Sequence, residues 1–138
     1  MNEREVEWRF LVRGFALLVA VLALYTAGWA IWRIAYPPKT KFELTKGCLR
    51  NEKGFRIAHV LQDPIASSAD EGALETTVQG NDVTLAMTTS ERRAEQIASD
   101  YRAAGAPADR LEQRGRAVYL WSQPPSPTQR QAMYDCAY

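Results

Sequence analysis

Cys48, Cys136 and His59 are the residues whose chemistry is most versatile, and the chain holds no other Cys or His. Three such residues cannot complete a closed zinc site, which needs four ligands. A hydrolytic triad would need His59 as base, with Ser90 as nucleophile and Asp63 as the orienting carboxylate. Nothing in the spacing selects those three, and no Gly-x-Ser-x-Gly elbow occurs. His59 alternates with Ile57 and Leu61, the pattern of a half-buried structural His on a strand. Asp63, Asp70 and Glu71 are oxygen ligands in one stretch, but their spacing matches no Ca²⁺ loop, so a solvated acidic loop is predicted. No Gly-rich phosphate cradle is present; Gly80 and Gly115 read as hairpin turns. The sequence thus predicts no catalytic residue, no metal site and no cofactor.

The cysteines make better sense as a pair. Cys48 falls in the first predicted helix of the C-terminal region and Cys136 in the last. If both helices pack on one face of a sheet, the sulfurs can meet. The bond would close a loop of nearly 90 residues, worth about 4.5 kcal/mol in the chain-entropy treatment. The alternative is two separate buried thiols, since free Cys often serves as core.

The elements that position these residues begin with a membrane segment. Gly14 to Trp32 is a run of 19 residues without a charge. At helical rise it spans roughly 28 Å, close to the hydrocarbon thickness of a bilayer. Arg13 and Arg33 bracket the run, and Trp8 on one side and Trp29, Trp32 and Tyr36 on the other fit the two interfacial belts. Pro37 and Pro38 end the helix. A cleaved signal peptide would have a shorter apolar region and a small-x-small site, whereas this run ends in Trp-Ala-Ile-Trp-Arg. Lys46, next to the Gly47 that precedes Cys48, and the distance of Cys48 from the apolar run also argue against a lipoprotein site. A single-pass anchor is predicted, with the bilayer as its first partner.

Orientation is not set by charge, because Arg4, Arg9 and Arg13 precede the span and Arg33, Lys39, Lys41 and Lys46 follow it. A disulfide decides the matter differently, since such bonds persist outside the cytoplasm. The C-terminal domain is therefore expected on the non-cytoplasmic side of the cell membrane.

The anchor has two unlike faces. Ala16, Ala20, Ala23, Ala27 and Ala30 recur at intervals of 4, 3, 4 and 3 on one stripe, while Leu18, Leu22, Tyr25, Trp29 and Trp32 recur at the same intervals opposite. Small residues allow close backbone approach, which drives helix association in lipid. The Ala face is expected to pack on another transmembrane helix, of a second copy or a different protein. The alternative is an Ala-rich composition with no packing role.

The tail and anchor occupy residues 1–36, a stiff basic linker 37–41, and an α+β domain 42–138. Its predicted helices are Leu44–Lys53, a helix after Thr89 or Ser90 with an apolar stripe of Ala94, Ile97, Ala98, Tyr101 and Ala104, and one from Pro127 to Ala137. Predicted strands are Phe55–Leu61, Leu74–Gln79, Asp82–Thr88, Arg110–Arg114 and Arg116–Ser122, the second and third joined by a turn at Gly80-Asn81 and the last two by a turn around Gly115. Gln62–Gly72 is expected as loop. Together they suggest a two-layer sandwich, three helices on one face of a mostly antiparallel five-stranded sheet.

With 17 Lys and Arg against 16 Asp and Glu, the net charge is +1, which argues against nucleic-acid binding. Arg92, Arg93, Arg102, Arg110, Arg114 and Arg116 are interspersed with Glu95, Asp100, Asp109 and Glu112, a mixed solvated surface. Tyr119 and Trp121 read as core rather than a stacking platform. One anchor, a short linker and a small disulfide-closed domain is a layout common among bacterial envelope proteins, and it implies no activity. The leading expectation is a non-catalytic interaction or accessory subunit of a membrane complex. The alternatives are a small envelope enzyme and a ligand-binding module.

Overall fold

The computed structural model describes residues 3–60 and 62–137, with side-chain surroundings from residue 12 onward. Leu61 and the side chains of Arg4, Trp8 and Arg9 lie outside the described residues. The chain forms two compact units, Met1–Pro38 and Lys39–Tyr138. The first is one helix, α1 (Glu3–Ala35). Its segment Val12–Ala35 is 24 residues long and apolar enough to cross a bilayer. The described side chains of this segment are exposed. Arg33 lies in the last turn with its guanidinium 4.5 Å from the Trp29 ring. The helix ends just before Pro37 and Pro38.

The second unit runs α2 (Lys41–Asn51), β1 (Ile57–His59), α3 (Pro64–Ser67), β2 (Gly72–Val78), β3 (Asn81–Met87), α4 (Glu91–Ala103), β4 (Leu111–Arg114), β5 (Ala117–Trp121) and α5 (Pro127–Tyr134). The five strands form one antiparallel sheet in the order β1-β2-β3-β5-β4. The α+β class and the five antiparallel strands agree with the sequence expectation.

The layering differs. Alternate residues of the central strands are buried on opposite faces. Val83, Leu85 and Met87 of β3 with Ala117, Tyr119 and Trp121 of β5 pack with Leu49 and Cys48 of α2, Met133 of α5 and Cys136 just after α5. Ala86 and Val118 face the other way, against Ala66 of α3 and Ala94, Ile97, Ala98 and Tyr101 of α4. The sheet is therefore covered on both sides, in three layers. The consecutive buried residues Leu85-Ala86-Met87 and Ala117-Val118-Tyr119 carry that signature, since a strand solvated on one face would alternate.

Local boundaries shift for identifiable reasons. Thr40 caps α2 by accepting from the Glu43 N–H at 3.2 Å, so the helix starts at Lys41 rather than Leu44 and shortens the linker. Leu44 is 41% exposed. The expected loop after β1 contains α3, capped by Asp63 with Pro64 in its first turn. The β2–β3 turn is centred on Gln79-Gly80, with φ of 51° and 80° as a type I′ turn needs, one residue earlier than Gly80-Asn81. Asn81 has another task. Its buried amide accepts from Ser122 Oγ and Gln123 N, both at 3.0 Å, and donates to Gln123 O. Ala104 caps the C-terminus of α4 and is exposed, so it leaves the apolar stripe.

Gly72 opens β2 at φ 138°, and a Cβ there would come within 2.7 Å of the Phe42 ring. Gly72→Ala is expected to destabilise the domain by about 1–3 kcal/mol through overpacking and strain. A urea titration reads it; an unchanged midpoint would show that Phe42 swings aside without cost.

Candidate functional site

Cys48 and Cys136 form a disulfide with Cα atoms 5.6 Å apart. It joins α2 to the turn that follows α5, which ends at Tyr134 rather than Ala137 and so leaves Cys136 just past the last helix, and both residues are buried. The Lys53–Asp135 ion pair at 2.7 Å ties the same two segments at the surface. It holds the Asp135 carboxyl below its ordinary range.

The triad residues are not brought together. His59 is exposed on the edge strand β1, which corrects its expected half-buried position. Among the described residues this three-residue strand pairs only with β2. Ser90 caps α4, accepting from Arg93 N at 3.3 Å. Asp63 caps α3, accepting from Ile65 N and Ala66 N at 2.9 and 3.0 Å. The acidic residues after β1 are likewise divided among separate partners. Asp70 accepts from the backbone and hydroxyl of Thr89, which lowers its pKa. Glu71 pairs with Arg116 at 3.6 Å.

The arginines are also dispersed. Arg93 donates to Gln96 Oε1, Arg102 pairs with Glu95, Arg110 donates to Ser122 O, and the Arg114 guanidinium stands 4.4 Å from the Tyr134 ring.

Three tyrosines are drawn into the packing. Tyr101 donates to Asp63 at 2.5 Å across the α3–α4 contact, and burial together with that bond pushes its phenol well above the ordinary range. Tyr119 is fully buried and pushed up by burial first. Tyr134 donates to Glu112 at 2.6 Å, and burial and this bond raise its pKa to about 12. Glu112 also accepts from Arg130 Nε. A phenol raised in the fold contributes stability that is complete below its unfolded pKa near 10 and is lost as pH rises to the folded value. The domain is therefore expected to lose stability between about pH 10 and 12. Urea midpoints at pH 9 and 11.5 measure the loss, and Tyr134→Phe should reduce its slope. Equal slopes would mean Tyr134 is not held protonated.

One concavity among the described residues was not located from the sequence. α3 and α4 cover only part of their sheet face, leaving an open groove of about 760 Å³. Glu75, Thr77 and Thr84 line its strand side, and Tyr101, Gly105 and Arg110 line the side toward the end of α4. Thr77 donates to Asp82 at 2.5 Å within it. The groove offers both charge signs and several hydroxyls, a surface suited to binding. The signal in the sequence was the polar run at alternate positions Glu75 and Thr77 on a strand whose other face is core.

A smaller hollow of about 320 Å³ lies at the other end of α4, bordered by Lys41, Glu91, Arg114 and Arg116.

No protein-family model, curated protein or solved structure matches the chain.

Proposed function

We propose that the chain is a single-pass membrane-anchored interaction protein that presents its domain on the non-cytoplasmic side, as an accessory subunit of a membrane complex. The observation that carries this reading is the Cys48–Cys136 disulfide closing a domain that follows a bilayer-length apolar helix. Such a bond is stable in an oxidising compartment and short-lived in a reducing one. The described site chemistry adds support: the hydroxyls and carboxylates that a hydrolase would use are occupied as helix caps and ion pairs.

The partner is another transmembrane helix seated on Ala16, Ala20, Ala23, Ala27 and Ala30. Helix association in lipid gains little from hydrophobicity, so close backbone packing supplies the energy. Ala20→Ile with Ala27→Ile is expected to abolish crosslinking of the full chain to its partner in native membranes. Leu18→Ala with Leu22→Ala should leave it nearly unchanged. Equal effects from both pairs would reduce the stripe to composition, and no effect from either would make α1 a simple tether.

The groove over β1–β3 favours a second reading, a ligand-binding module. Glu75→Arg separates the two: it should impair ligand binding in a module and leave transmembrane crosslinking intact.

A further inference from the structure

We propose that the end of the domain next to the linker is a docking face for anionic lipid head groups, centred on Lys41, Arg114 and Arg116. This rests on the anchored reading above and names a second contact with the same bilayer. The fold gathers residues far apart in sequence: Lys41 opens α2, while Arg114 and Arg116 flank the glycine of the β4–β5 turn, and all three border one hollow. Their engagements differ. Arg116 is paired with Glu71 and donates to Thr89 O at 3.1 Å, which fixes its guanidinium at the rim. Arg114 lies against the Tyr134 ring. Among the described residues neither Lys41 nor Arg114 has a carboxylate within 4.0 Å. Glu91 is the acidic residue on the same hollow.

The tether from the apolar helix to Lys41 is short. Four residues separate Tyr36 from Lys41, so five backbone steps join them. At full extension they cover at most about 18 Å. Lys39 adds a further cation inside that tether. A Lys or Arg that reaches an anionic surface gains about fivefold in occupancy, and the gain falls away beyond a Debye length, so the face must be docked rather than merely tethered. The groove lies at the opposite end of α4, a helix of 13 residues, and so stays open to a partner when this face is docked.

The test uses the full chain in lipid nanodiscs, either all phosphatidylcholine or with one third phosphatidylglycerol. Co-elution of the chain with the discs checks the anchor by itself. Deuterium uptake is then followed in the peptides covering Lys39–Lys41 and Arg114–Arg116. Uptake is expected to slow severalfold in the anionic discs, to recover in 1 M salt, and to show no lipid difference in the Lys41→Gln, Arg114→Gln double variant. That variant's uptake in neutral discs, equal to wild type, verifies its fold. Chain that co-elutes but exchanges equally in both discs would overturn the docking face while leaving the anchor standing. Chain that fails to co-elute would overturn the anchor, and the docking face with it. Protection reproduced in neutral discs by inorganic phosphate would make this a phosphate site, also against the proposal.

Discussion

Replacing Cys48 and Cys136 by Ala is expected to lower the stability of the domain by several kcal/mol. The bond joins residues 88 apart. Removing a closure of that length costs about 4.5 kcal/mol by chain entropy, within the 2–5 kcal/mol typical of small disulfide-closed domains. For about 100 residues each kcal/mol shifts Tm by roughly 4–8 °C, so a fall of 15 °C or more is expected. The double variant is the informative one, because a single variant leaves a free thiol on a buried face. The bond joins α2 to the turn after α5, beside Leu49 and Met133 in the same core cluster. Calorimetry of the oxidised protein against the double variant measures the effect. A Tm change of a few degrees would mean that the packing of α2 and α5 suffices and that the bond is incidental.

Trp121→Ala is expected to destabilise the domain by about 3–5 kcal/mol. The side chain is 1% exposed and packs with Tyr119, Val83 and Met133 under α2 and α5. Its indole N–H has no acceptor among the described residues, so the loss is one of volume rather than of a hydrogen bond. Trp121→Phe should therefore cost far less, about 1.5 kcal/mol or below, while a platform for ligand stacking would show the reverse: little effect on stability and a loss of binding. Urea unfolding of both variants separates these outcomes.

Much of this architecture was legible because the deciding interactions are local or periodic. The charge-free run, the caps at Ser90 and Ser126 and the alternation in β2 and β3 each depend on neighbours in sequence. The cysteine pair was legible because its positions bound the domain. The second helical layer was not, since choosing a face for α4 depends on which side of β3 and β5 accepts its small Ala94 and Ala98, a tertiary question. The turn at Gln79-Gly80 was misplaced because Asn81 looks like a turn residue, yet its amide is used to bind the chain after β5. α3 escaped notice because four residues show no period, although Asp63-Pro64 carried its cap. The groove left only a weak trace, the alternate polar Glu75 and Thr77, because it is made by what α3 and α4 leave uncovered.

The most direct measurement of the central claim is alkylation of the native full chain. Cells are quenched in acid and denatured, and the protein is treated with a maleimide-linked polymer before and after reduction. Carbonate-washed membranes from the same culture are run alongside. The anchored, non-cytoplasmic reading is met by a chain that stays in the washed membrane pellet, shows no shift before reduction, and gains two polymers after it. A chain modified at both cysteines before reduction, or released from the pellet, would contradict it.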